Sequence, residues 1–378
     1  MKTWKHGIIG IFAIIAFAVV VTACGNGGDD KGDGTSPHTH DWQWEITTPV
    51  TAEEDGLETE TCSICGETRG TRVIPKTGDG PIPDFVGIEG LTMDNYPRVD
   101  GSTSTNPLNV IISANLLGLE YEWMTQDYLR DVTFTNSKDL PDTFRNKIKC
   151  SQTNGAIINL IDAETDLIIV ARKMSADERQ HANSAGVELI ETPIALDALD
   201  FIINAQNAVN SLTVKQIQDI YLGNITNWSE AGGADGEIKP FIRNVNSGSQ
   251  EMMNEIVMKN TGMPDWALSY TDEMRIGSMR LVYEELLQPN RICFTPHYYK
   301  EYMVVFDGLI AEKVRTLAVD GITPDSNSIK NKSYPFVADV YVSIRSDLDH
   351  NSMAYKLYQW LRTESGKSVI RESGYVTD

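Results

Sequence analysis

The sequence predicts an α/β domain preceded by a small β-rich module, and three observations carry that expectation. From about residue 90 onward, short β-branched apolar runs alternate with amphipathic helical patterns. Between residues 38 and 75 the pattern changes to period-two alternation with no helical stretch in it. The composition is that of a folded chain: 41% of the 378 residues are hydrophobic and 22% are charged. That is enough apolar surface for a sizeable core and too much for wholesale disorder, and the length suits two or three domains.

Charge narrows the function. Asp and Glu number 53 against 32 Lys and Arg, for a net charge of −21. So acidic a chain is a poor partner for nucleic acid, whose backbone demands a cationic face. A small anion is not excluded, because N–H groups at helix starts bind anions whatever the net charge.

The first residues read as targeting rather than fold. Lys2 and Lys5 precede "GIIGIFAIIAFAVVV", and small residues Thr22-Ala23 precede Cys24. The apolar run is short for a bilayer span, and a retained membrane helix is the alternative. "VTAC" resembles a bacterial lipobox, whose cysteine becomes the lipidated N-terminus. That resemblance makes 1–23 a lipoprotein signal peptide and Cys24 the residue that ties the chain to the membrane through lipid. Both readings put the rest on the extracytoplasmic side of the cell membrane, in the periplasm or at the cell surface. The glycine- and aspartate-rich 24–37 is a flexible tether.

The module 38–75 holds three expected strands, in "WQWEITTPV", "LETETC" and "TRGTRVI", with a turn at Asp55-Gly56. His38, His40, Cys62 and Cys65 could form a four-ligand zinc site joining the two ends of a unit too small to hold itself together. The "CSICG" turn resembles a zinc knuckle. A Cys62–Cys65 disulfide and a pair of free thiols are the alternatives. Trp42 and Trp44 read as strand-face core, and Cys150 and Cys293 as small buried apolar residues. Residues 76–89 are a glycine- and proline-rich linker.

In the large domain "NKIKC", "DLIIVA" and "DALDFIIN" read as strands. "TVKQIQDIYLG" reads as a helix capped by Thr213 with Gln216 three residues on, stopping at Gly223. "SMAYKLYQWLRTESG" reads as one helix ending at Gly366. This alternation predicts a largely parallel sheet with ligands bound at the carboxyl ends of strands. No internal repeat is visible.

Three loops before expected helices share one chemistry. "DGSTSTNPL" (100–108) has hydroxyl residues from Ser102 to Thr105. "CSQTNGAIINLI" (150–161) has Thr153, Asn154 and Gly155. "NVNSGSQEMM" (244–253) has Ser247, Gly248 and Ser249, with Arg243 just upstream. Each offers first-turn N–H groups, hydroxyl donors and a glycine, and Arg243 can add a bidentate charge-assisted contact. Any one loop alone is an ordinary N-cap. Three of them suit an oxyanion.

The stretches "YPRVDGSTSTNPL", "TDLIIVARKMSADE", "SLTVKQIQDIYLGNITNWSEAGG", "IRNVNSGSQEMM" and "YPFVADVYVSIR" resemble the phosphate-binding lipoproteins of ABC importers, in order, over about residues 90–378. The resemblance implies a two-lobed type II periplasmic-binding-protein fold, with lobe one from 90–197 and 335–378 and lobe two from 198–334. It implies a phosphate site of Thr103, Ser104 and Thr153 with Arg243, Ser247, Gly248 and Ser249. It further implies an ABC permease as partner, a monomeric chain and no catalysis. The six histidines are scattered, and the large domain carries no nucleophile–base pairing or catalytic metal motif. One departure stands out. Where the family carries an aspartate that accepts the proton of hydrogen phosphate, this sequence has Ala171, followed by Arg172 and Lys173. Without that carboxylate sulfate is not repelled, so phosphate and sulfate both remain candidates. A surface sensor or interaction lipoprotein that kept the fold but changed or lost its anion specificity is the rival expectation.

Overall fold

The computed structural model describes residue 40 and residues 42–48, 56–74, 85–126, 128–259, 275–276, 279–304 and 313–377. Cys24 and His38 lie outside them. The chain divides into two compact units, the first ending at residue 81.

The first unit is an antiparallel meander of β1 (Trp42–Thr48), β2 (Gly56–Cys62) and β3 (Thr68–Ile74). These are the three alternating runs of the sequence, and the β1–β2 register sets Trp42 opposite Cys62.

The second unit begins with β4 (Val99–Gly101), which turns into α1 (Asn106–Leu117). A hairpin of β5 (Tyr121–Gln126) and β6 (Leu129–Phe134) leads through α2 (Asp142–Arg145) to α3 (Gln152–Ile161). Next come β7 (Leu167–Val170), α4 (Ala176–Ala185) and the long β8 (Leu189–Asn204). The chain goes on through β9 (Ser211–Leu212), α5 (Val214–Tyr221), β10 (Lys239–Pro240), β11 (Ile242–Arg243) and α6 (Gly248–Met252). β12 (Arg275–Ile276), α7 (Met279–Glu285), β13 (Arg291–Pro296), β14 (Val314–Thr316), β15 (Ala318–Val319) and α8 (Ser326–Lys330) follow. β16 (Val337–Arg345), α9 (Met353–Trp360) and α10 (Glu364–Glu372) complete it.

The main sheet runs in the order β10-β13-β8-β16-β7-β4, with β14 also paired to β8. β8 makes the unit two-lobed. Residues 189–198 pair with β16, whereas 199–204 pair with β13 and β14. One uninterrupted strand therefore serves both lobes. The sheet is mixed rather than largely parallel: β4–β7 and β10–β13 are parallel, while every pairing made by β8 or β16 is antiparallel. Sequence alternation reports βαβ units and is silent on strands that return across the sheet.

Two further expectations change. "NKIKC" forms only an isolated bridge, from Ile148 to Val99, because helix α2 and its turns occupy the preceding residues. The C-terminal helix is broken in two, with Thr363 capping α10 through Gly366 N at 3.2 Å. Gly366 thus lies in the first turn of α10, and a Cβ there would come 2.3 Å from the Trp360 carbonyl oxygen. The glycine marks a close approach of two helices, not a stop.

Apolar residues gather on both sides of the sheet. Leu108, Ile111, Leu167, Ile169, Val340 and Val342 anchor one cluster; Phe201, Tyr221, Trp228, Phe294 and Phe336 anchor another. Each side chain of this size contributes about 1.5–3 kcal/mol when buried.

Inside this apolar strand lie two buried carboxylates. Asp200 accepts from His297 Nδ1 at 3.0 Å and pairs with Lys300 Nζ at 2.8 Å. Asp197, at the change of partners, accepts through Oδ1 from the N–H groups of Ala198 (2.8 Å) and Tyr298 (3.0 Å). Its Oδ2 is buried without a hydrogen bond among the described residues. Burial pushes the Asp197 pKa up to about 6. A carboxyl raised in this way gives stability that is present below its unfolded pKa and lost as pH rises through 6. Asp197→Asn keeps the acceptor and removes the titration. We expect it to unfold in urea at pH 7.5 with about 1–3 kcal/mol more stability than the parent, a gain that vanishes near pH 4. A variant less stable at pH 7.5 would contradict this reading.

Candidate functional site

Asp100 at the end of β4 organises two of the three hydroxyl-rich loops. Fully buried, it accepts from Gly101 N (2.7 Å) and Ser151 N (2.8 Å) through Oδ1 and from Asn159 Nδ2 (2.8 Å) through Oδ2. One carboxylate thus fixes the start of α1 relative to the start of α3. Gly101 is required by space: a Cβ would lie 2.6 Å from Asn109 Nδ2 and 2.9 Å from the Ile169 carbonyl oxygen. Within the turn Thr105 Oγ1 donates to Ile169 O at 2.5 Å, and Ser102 Oγ lies 3.2 Å from Ser104 Oγ. Tyr375 OH donates to Ser104 O at 2.9 Å. Ser104 is buried in this network, while Thr103 is exposed.

The third loop follows β11. Ser247 caps α6 by accepting from Gln250 N at 3.2 Å, and Gln250 Oε1 accepts from Arg243 N at 2.9 Å. The Arg243 side chain is buried, with Nη1 3.3 Å from Ser249 Oγ and in contact with the Met279 sulfur. Burial lowers its pKa to about 10, so the guanidinium stays charged at neutral pH.

The third loop touches the start of α3. A Cβ on Gly248 would sit 2.6 Å from Thr153 Oγ1, so the third loop brings bare backbone against a buried hydroxyl at the start of α3. Beside this contact Arg172 Nη2 donates to the Asn246 carbonyl at 2.8 Å. Arg172 also makes a bidentate pair with Glu178, at 2.6 and 2.9 Å, with both side chains almost wholly buried. Glu178 closes the capping box of α4 with Ser175. Arg172 is thus neutralised in place and presents one N–H across the cleft. Ala171 before it is buried, and no carboxylate replaces it at that position.

Helix capping divides the helix starts, and Ser247 at α6 falls with the side-chain-capped ones. Ser175, Thr213, Asp325, Ser352 and Thr363 all cap their helices through side-chain oxygens. Thr105 and Ser151, ahead of α1 and α3, make no such bond. The helix starts beside Asp100 thus lack a capping bond from their own N-cap side chains, at the positive end of each dipole. Together with Arg243, Ser104, Thr153 and the Gly248 backbone, this is chemistry for holding an oxyanion.

The structure therefore brings Gly248, between Ser247 and Ser249, against Thr153, with Arg243 beside Ser249 and Ser104 in the turn that Asp100 ties to α3. Thr103 sits in the same turn with its side chain outward. In the first unit His40 Nδ1 lies 3.4 Å from Cys65 Sγ, with Cys62 close by. Trp42 is half-buried and stacks on His40. Cys293 is buried as expected, but Cys150 is exposed, because it heads the α3 loop rather than a core strand. Sequence reading missed Arg172 as a bridge across the cleft, Met279 beside Arg243, and Tyr375 behind Ser104. The S-x-x-E spacing of Ser175 and Glu178 announces a cap, but nothing local links it to Arg172 or Asn246.

A family model described as a PBP superfamily domain matches residues 125–364, more than half of the chain. The chain belongs to the PBP superfamily. Protein SphX of Synechococcus elongatus is 25% identical over 118 residues, 30% of this chain and 35% of that protein. The phosphate-binding protein PstS of Bacillus subtilis is 21% identical over 189 residues, 50% of this chain and 57% of that protein. The chain thus spans about a third to somewhat over half of the length of these curated relatives. Among solved structures, a phosphate-bound substrate-binding protein from Clostridium perfringens is similar with a TM-score of 0.53 and 22% identity. That match covers 75% of this chain and 100% of the other. At this identity the likeness speaks to the fold. It agrees with a PBP superfamily member built of two lobes on a shared strand. Among the described residues no helix is long and apolar enough to cross a membrane.

The Gly248–Thr153 contact yields a prediction for this PBP superfamily member. Gly248→Ala must push the Thr153 hydroxyl aside or part the lobes. We expect affinity for a tetrahedral oxyanion to fall about tenfold or more, about 1.4 kcal/mol, with little change in anion-free unfolding. Unchanged affinity by titration calorimetry would show that the contact has no part in binding.

Proposed function

We propose that the chain is an extracytoplasmic solute-binding lipoprotein that captures phosphate between its two lobes and delivers it to an ABC permease. The observation that carries this reading is the approach of Gly248 to Thr153, with buried Arg243 beside Ser249 on one wall and the Asp100-organised helix starts on the other. An anion that contacts both walls favours the closed state by the contacts it makes only there. The family membership and the phosphate-binding names of the relatives support the same ligand class. Lipidation at Cys24, with the membrane as anchor and the binding unit working as a monomer, completes the proposal. The ligand is captured and released unchanged.

Selectivity is the distinctive part. With Ala171 in place of a carboxylate and Arg172 committed to Glu178, a proton of hydrogen phosphate needs another acceptor. We propose Asp131, whose Oδ2 accepts from Asn106 Nδ2, in the first turn of α1, at 2.8 Å. Burial raises its proton affinity.

Calorimetric titration with phosphate and with sulfate tests both parts. We expect phosphate to bind with micromolar or tighter affinity and Arg243→Ala to weaken it by at least a hundredfold, about 2.7 kcal/mol. Asp131→Asn should reduce the preference for phosphate over sulfate at pH 8. Absence of binding by either oxyanion would overturn the transport reading in favour of a surface sensor or interaction protein. An unchanged phosphate-to-sulfate ratio would remove Asp131 from the account.

A further inference from the structure

The three-stranded unit gathers three of the four metal-binding side chains that the sequence singled out, His40, Cys62 and Cys65. Cys62 ends β2 and Cys65 follows in a tight turn. Gly66 N donates to Cys62 O at 2.8 Å, and Cys62 N donates to Glu67 O at 2.8 Å. Gly66 closes the turn at φ +73°, which glycine takes without strain. The antiparallel register sets Trp42 opposite Cys62. Continuing it by two residues sets residue 40 opposite the turn.

His40 is oriented as a ligand. Its Nδ1 lies 3.4 Å from Cys65 Sγ, and its Nε2 lies 3.5 Å from Glu67 Oε2. One ligand atom each from His40, Cys62 and Cys65 falls within a sphere of contacts no wider than 4.8 Å. In a tetrahedral zinc site, ordinary Zn–S and Zn–N bond lengths give an S···N edge of about 3.6 Å. The spacing is therefore already that of a ligand set. A carboxylate on the far ring nitrogen is the usual support for a metal-bound histidine, because it holds the N–H there and turns the other lone pair toward the metal. No disulfide joins Cys62 and Cys65 in this structure.

We infer that His40, Cys62 and Cys65 bind a zinc ion that staples the entry of β1 to the β2–β3 turn, with Glu67 fixing the histidine. The fourth position falls to water or to a further donor of the chain. Zinc suits two thiolates and an imidazole better than the hard cations do, and binding releases the two thiol protons. A unit of this size has little core of its own, and a metal is a usual remedy.

The test uses the whole chain, purified with its thiols reduced, incubated with zinc chloride and freed of loose metal by a weak chelator. Elemental analysis should find one zinc per chain. It should find none in Cys62→Ser/Cys65→Ser, which should still bind phosphate like the parent. Cobalt(II) in place of zinc should give sulfur-to-metal charge-transfer absorption, lost in the same variant. Glu67→Gln should weaken zinc binding about ten- to a hundredfold without removing it. No zinc in the reduced parent, equal zinc in the double variant, or a Cys62–Cys65 disulfide in protein isolated without reductant would each overturn the inference. Because the phosphate readout is separate, failure here leaves the transport reading standing, and the reverse also holds.

Discussion

The close approach of Gly248 to Thr153 is the constraint on which the rest of the large unit depends. A Cβ at 248 would meet the Thr153 hydroxyl, and without that contact the two loops would be separate helix starts. Glycine here serves proximity rather than an unusual backbone angle. The hydroxyl it faces lies in the first turn of α3, which Asp100 has already tied to the α1 turn. Three loops far apart in sequence are thereby brought together.

Charge in the cleft is arranged with economy. Two arginines stand there, and their surroundings give them different work. Arg172 is matched by Glu178 within hydrogen-bond distance on both prongs, so its charge is spent locally and its remaining N–H serves the Asn246 carbonyl. Arg243 lies against a hydroxyl and a thioether, and burial lowers its pKa without discharging it. A protein of net charge −21 keeps stray polyanions away.

Much of this was legible in the sequence, and the boundary of legibility has a physical cause. Local signals read well: the Thr213–Gln216 capping box, the three strands of the small unit, Pro107 at the start of α1 and the hydroxyl-rich loops all follow from short-range chemistry. Long-range pairings read poorly. Alternation could not report that β8 and β16 run against each other, nor that Tyr375 reaches back to Ser104. Gly366 was misread because a glycine that stops a helix and one that lets two helices touch look the same in sequence. Cys150 was misplaced because a cysteine outside a disulfide reads as a small core residue, whereas this one heads the loop before α3.

The claim at the centre is that one tetrahedral anion bridges both walls. The most direct test is a crystal structure of the protein grown with phosphate. The account requires the anion between Ser104 and Thr153 on one side and Arg243, Ser249 and the Gly248 N–H on the other, with both lobes in contact. Phosphate bound on one lobe alone, or a cleft empty at saturating phosphate with Arg243 turned away, would contradict it.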